Sequence, residues 1–119
     1  MSEGFKALQI YQRSYAGVKA VYAMTESFPQ TERYGVIDQL RRASLSIPLN
    51  IAEGYGKKDS QAEFNRYLRM AMGSVNEVLV LLDFSRDMGY ITIEKHEKAY
   101  REYEEICKMV HAFIERTKR

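Results

Sequence analysis

Apolar side chains recur every three or four residues along most of this chain, which is the period of one face of an α-helix. The first such segment runs from about Phe5 to Ser27, with Leu8, Tyr11, Tyr15, Val18, Tyr22 and Thr25 in register. It stops at Phe28-Pro29, because the residue before a proline is pushed out of the helical region. The second begins near Thr31, whose hydroxyl is placed to cap the free amides of Glu32 to Tyr34, and carries Ile37, Leu40, Ser44, Ile47 and Ile51. Pro48 falls inside that pattern. Its missing N–H and its ring predict a kink there, or an early end at Ile47. Gly54-Tyr55-Gly56 closes the segment, and Lys57-Lys58-Asp59 forms the connection.

The third segment opens on Ser60-Gln61-Ala62-Glu63, a capping box whose two side chains can satisfy two otherwise unpaired backbone donors. Phe64, Tyr67 or Leu68, Ala71, Val75, Val78 or Leu79 and Leu82 follow, and Gly89 is placed to be the left-handed residue after the last turn. The fourth starts near Thr92 and carries Ile93, His96, Tyr100, Tyr103, Cys107, Val110 and Ile114. Nothing alternates with period two for long, and no Asn-Gly or Asp-Gly hairpin turn occurs, so strands are not expected. Four helices of about 20 to 28 residues with short links predict an all-α, antiparallel up-down-up-down four-helix bundle with left-handed crossings. The whole of residues 1–119 reads as one such domain. In the fourth segment Tyr100, Tyr103, Ile106, Cys107, Val110, Phe113 and Ile114 exceed what one narrow core stripe needs, and that surplus predicts an interface.

Composition narrows the function classes. A hydrophobic fraction of 45% with 29% charged residues is that of an ordinary globular protein. The longest apolar run, Val78 to Leu82, is far too short to cross a bilayer. The opening Met1-Ser2-Glu3-Gly4-Phe5-Lys6 lacks the plan of a signal peptide. With Cys107 as the only cysteine, no internal disulfide or cysteine knuckle can form, which suits a cytoplasmic location. Net charge is only +2, yet it is unevenly spread. Seven basic residues face four acidic ones between Arg33 and Arg69, and four face one between Lys108 and Arg119, whereas Glu94 to Glu105 has five acidic against three basic.

Catalytic constellations are missing where the fold would put them. A di-metal carboxylate bundle needs Glu-x-x-His on two helices, but Ile93 and Lys108 stand where those glutamates belong ahead of His96 and His111. Cys107 and His111 share a helical face, yet no third group orients the imidazole, and a small buried hydrophobe is the better reading of the cysteine. Gly54-Tyr55-Gly56-Lys57-Lys58 lacks phosphate-loop spacing. No enzymatic activity, cofactor or metal is expected. The unusual stretch is Gln39 to Gly56, where polar residues interrupt an apolar helix. On one reading Ser44, Ser46, Asn50 and Glu53 bond backbone groups freed by Pro48 or pair with Arg41 or Arg42. On the other, Arg41, Arg42, Lys57, Lys58, Arg66 and Arg69 gather into a patch that binds RNA or DNA phosphates, with Tyr55 and Tyr67 available to stack on bases.

Several segments together resemble one family. They are Phe5-Lys6-Ala7-Leu8 with Tyr11-Gln12, Phe28-Pro29 with Glu32-Arg33-Tyr34-Gly35, Gln39-Leu40-Arg41-Arg42-Ala43 through Asn50-Ile51-Ala52-Glu53-Gly54, and Met88-Gly89-Tyr90-Ile91. Spread over nearly the whole chain, they are similar to the four-helix-bundle proteins encoded by intervening sequences inside bacterial large-subunit ribosomal RNA genes. The resemblance implies a homo-oligomer, a pentameric barrel, and a distant relation to accessory proteins of diversity-generating retroelements, which bind nucleic acid and a reverse transcriptase. It implies no known catalytic activity. A protein-protein scaffold that does not bind nucleic acid is the alternative.

Overall fold

A computed structural model describes residues 4–117, and among these it contains four long helices and no strand. A 3₁₀ turn over Gly4–Ala7 leads into α1 (Gln9–Thr25), and another over Gln30–Glu32 precedes α2 (Val36–Tyr55). Then follow α3 (Gln61–Asp87) and α4 (Ile93–Arg116). Short turns join helices that lie side by side, which gives the antiparallel up-down-up-down bundle expected from the pattern. It measures 45 × 23 × 21 Å. The pairing of α2 with α3 is the most extensive, and the seam between α1 and α4 is the sparsest.

Each end has a local cause. The first segment breaks at Leu8, so the turn over Gly4–Ala7 stands apart from α1. The capping box of α3 is half formed: Ser60 Oγ accepts from the Glu63 amide at 3.2 Å, but the Glu63 carboxylate turns to Arg66 instead of back to Ser60. Thr31 does not cap α2. The chain makes a 3₁₀ turn there, and Glu32 Oε1 takes up the Val36 amide at 3.3 Å. Gly89, at φ 77°, closes α3 in the left-handed conformation that L side chains adopt at a cost of about 1–2 kcal/mol. The Tyr90 and Gly89 amides then reach the Ser85 and Arg86 carbonyls, the pairing of a Schellman motif.

Contrary to one expectation, α2 does not end at Pro48 but runs on to Tyr55. Neighbouring side chains supply donors to its backbone. Ser44 Oγ bonds the Arg41 carbonyl, Ser46 Oγ the Ala43 carbonyl, and Asn50 Nδ2 the Ser46 carbonyl. Ser46 also bonds Ser74 Oγ across to α3 at 2.6 Å. Glu53 is exposed and pairs with neither Arg41 nor Arg42.

Leu40, Ile47 and Ile51 of α2 meet Leu68, Val75, Val78 and Leu82 of α3 in a core with no solvent exposure. Each such side chain contributes about 1.5–3 kcal/mol of transfer free energy. The apolar surplus of α4 goes to this core: Tyr103, Ile106, Val110 and Ile114 are buried, while Tyr100, Cys107 and Phe113 pack half-buried against it. A helix wedged between α1 and α3 needs a wide apolar face, and the core takes up Tyr103, Ile106, Val110 and Ile114 completely.

Two glycines mark opposite packing limits. A Cβ on Gly54 would lie 2.7 Å from Tyr67 Cβ and 3.2 Å from the Phe64 carbonyl oxygen, whereas a Cβ on Gly73 would meet nothing within 4 Å. Gly54→Ala should therefore lower stability by more than 1 kcal/mol through overpacking. Gly73→Ala should raise it by roughly 0.5–1 kcal/mol through helix propensity. Paired thermal melts read both signs. A second expectation concerns Tyr103, 2% exposed, whose hydroxyl has no hydrogen-bond partner among the described residues. Tyr103→Phe removes an unsatisfied polar atom, so stability should hold or rise in urea denaturation.

Candidate nucleic-acid interface

The six basic residues singled out in the sequence do not form one patch. Arg41 is tied into the fold. Its Nε donates to Thr25 Oγ1 at 2.9 Å, its Nη2 to the Tyr22 carbonyl at 3.3 Å, and its guanidinium sits 4.4 Å over the Tyr22 ring. This arginine clamps α1 to α2, and its donors point inward. Arg42 is exposed but gives its Nε to both oxygens of Asp38, one turn back, at 3.1 Å. These two stand about 22 Å up the α2 axis from Lys57.

Lys57, Lys58 and Arg66 do come together. The turn between α2 and α3 brings Lys58 Nζ to 2.9 Å from Tyr55 Oη and 4.0 Å over its ring. Lys57 lies 5.8 Å and Arg66 4.7 Å over the Tyr67 ring. Arg66 also forks onto Glu63 at 3.1 and 3.2 Å, and that hydrogen bond first, with its charge, holds the Glu63 carboxyl below the usual carboxylate range. Arg69 is exposed on the next turn of α3 and pairs with no acid among the described residues. The tyrosines expected to stack on bases already carry cations on their faces, so a base reaching them would meet a guanidinium or ammonium layer.

The fold adds two cations that sequence adjacency had hidden. The start of α1 and the end of α4 reach the same end of the bundle as the α2–α3 turn. Phe64 and Phe113 have ring centroids 5.6 Å apart, Tyr55 packs on Gly4, and Arg116 shares a surface hollow with Ala7 and Leu8. Lys6 and Arg116 therefore join Lys57, Lys58 and Arg66 at that end. The signal was the basic bias of the tail, which reads as local until α4 is folded back. Asp59, Glu53 and Glu63 stand among them, so the end is mixed in sign.

Among the described residues, no group of three or more His, Cys, Asp and Glu side chains is close enough to hold a metal ion. Burial pushes the Cys107 thiol up, away from a reactive thiolate. His96 is engaged at 2.8 Å with Asp83, joining α4 to α3. No described helix is long and apolar enough to cross a membrane.

Over residues 6–112 the chain matches the family described as "23S rRNA-intervening sequence protein". It belongs to that family. A solved structure from Bacteroides thetaiotaomicron VPI-5482, described as a protein with unknown function from the S23 ribosomal protein family, superposes with a TM-score of 0.78 at 26% identity. The alignment covers 88% of this chain and 97% of that one. No curated protein matches. The two chains share the four-helix-bundle fold.

The inward commitment of Arg41 separates it from the turn lysines. Arg41→Ala should cost about 1–2 kcal/mol by removing two hydrogen bonds and a cation–π contact. Lys57→Ala and Lys58→Ala should change stability by less than about 0.5 kcal/mol. Chemical denaturation of the three variants makes the comparison.

Proposed function

We propose that this family member is a non-catalytic, self-associating protein that binds RNA or DNA through the phosphate backbone, using the bundle end that carries Lys57, Lys58 and Arg66. The observation behind this reading is convergence. Three separate parts of the chain bring Lys6, Lys57, Lys58, Arg66 and Arg116 to one end, and two tyrosines lie beneath the central cations. Backbone contacts of this kind carry affinity without sequence choice. A single copy, with Asp59 and Glu63 among its bases, binds weakly. Repetition in an assembly raises apparent affinity if one polyanion spans several copies. A single half-buried cysteine and the lack of a described membrane-crossing helix suit a reducing cytoplasm.

The test is a salt titration of binding to homopolymeric RNA and to duplex DNA. Reversing both Lys57 and Lys58 to glutamate should weaken binding and flatten the log–log salt slope, by about 1.4 on single strands and about 1.8 on duplex. Helicity should not change, because both residues are exposed in a turn. A wild-type protein that retains neither polymer at low salt leaves the scaffold reading in its place.

A further inference from the structure

Resting on the phosphate-backbone binding proposed above, we infer that the basic end of the bundle takes double-helical RNA or DNA in preference to unpaired strands, because its own cations close the aromatic faces on which free bases would stack. Sites for single strands combine a basic groove with open aromatic rings, and each stacked base there tightens binding by about fivefold to a hundredfold. This end has both rings and cations, but the cations lie over the rings. Lys58 Nζ is 4.0 Å from the centre of the Tyr55 ring and 2.9 Å from its hydroxyl. Lys57 and Arg66 lie 5.8 and 4.7 Å over Tyr67, and Arg116 lies 5.7 Å over Phe113. All four cations are exposed and the three rings half-buried, so the faces they cover are those turned to solvent. Of the other rings at this end, Phe64 is buried between Tyr55 and Phe113, and Phe5 is half-buried against the ring of Tyr11.

A covered ring is lost as a stacking platform, but the cation on it stays available as a charge. A lysine ammonium offers a base no plane to lie on, while it remains a compact donor for phosphate. Arg66 keeps a plane, yet its fork is turned to Glu63 at 3.1 and 3.2 Å, which sets a carboxylate beside any strand that stacks there. What this end offers is therefore charge. Charge alone favours the polymer with the denser phosphates: a double helix carries one negative charge per about 1.7 Å of its axis, and either strand by itself half as many. The cations come from the turn before α1, the turn between α2 and α3 with the start of α3, and the end of α4. They are spread over the end of a bundle 23 × 21 Å across, which suits two backbones held side by side.

Two single variants separate a lost charge from an uncovered ring. Binding of a short duplex and of one of its strands, unpaired, each as RNA and as DNA, is measured by fluorescence anisotropy at low salt. Wild type should bind each duplex more tightly than its strand. Lys58→Ala removes the cation over Tyr55 and opens that face. Duplex affinity should then fall while strand affinity holds or rises, lowering the duplex-to-strand ratio by at least about fivefold. Arg69→Ala removes an exposed charge that lies over no ring, and should leave the ratio as it is in wild type. A wild type that binds strands as tightly as duplexes, or a Lys58→Ala ratio equal to that of Arg69→Ala, overturns the inference. A preference seen only in the RNA pair or only in the DNA pair assigns the end to that duplex. Wild type that retains no polymer at low salt removes the phosphate-binding reading, and this inference falls with it.

Discussion

At residue 54 there is no room for a side chain. The last turn of α2 comes so close to the first turns of α3 that Tyr67 Cβ and the Phe64 carbonyl occupy the space a Cβ would take. This approach fixes the angle and register of the α2–α3 pair, whose shared core of Leu40, Ile47, Ile51, Leu68, Val75 and Val78 is the largest in the molecule. It also sets where Tyr55 and Tyr67 stand, and hence where Lys57, Lys58 and Arg66 rest. Tyr55 meets Phe64 edge-on, and Phe64 meets Phe113, so the same contact reaches the end of α4. The charged end of the bundle is a consequence of backbone packing in its apolar interior.

Polar residues within α2 serve that packing. A proline in the middle of a helix removes a donor, and the serines and asparagine around it bond their own backbone and, through Ser46 and Ser74, the facing helix. Arg41 works similarly between α1 and α2, where its guanidinium donates to Thr25 and sits over the Tyr22 ring. Residues that read as a binding motif because they are polar and close in sequence are spent on carrying α2 past its proline and on joining it to its neighbours.

Helix identity was legible because the three-and-four period, the Gly89 stop and the Ser60 and Thr92 starts are local signals. Errors came where tertiary contacts override local preference. Thr31 was a plausible cap until Glu32 took the role, and Pro48 a plausible end until packing on both sides carried the helix past it. How much of the apolar breadth of α4 the core takes up could not be read without knowing that the helix is wedged between two others. Uncovered large apolar side chains lie on every helix, Tyr15, Leu49, Val80 and Ile93 among them, and each looks unremarkable by itself in the sequence. Three of the six proposed phosphate contacts proved neighbours, and Lys6 and Arg116 joined them only because an antiparallel bundle returns both chain ends to the α2–α3 turn.

Every extensive helix pairing here joins consecutive segments, and the single pairing between distant ones, α1 with α4, is also the sparsest. Such a topology has low contact order, and chains of this kind reach the native state quickly because little loop entropy is lost before contacts form. As the chain is synthesised, α1, α2 and α3 can settle on one another before α4 exists. The last helix then closes the bundle by laying Ile106 and Val110 onto a surface already in place, and the α1–α4 seam, made last, is the one whose opening disturbs the fewest contacts.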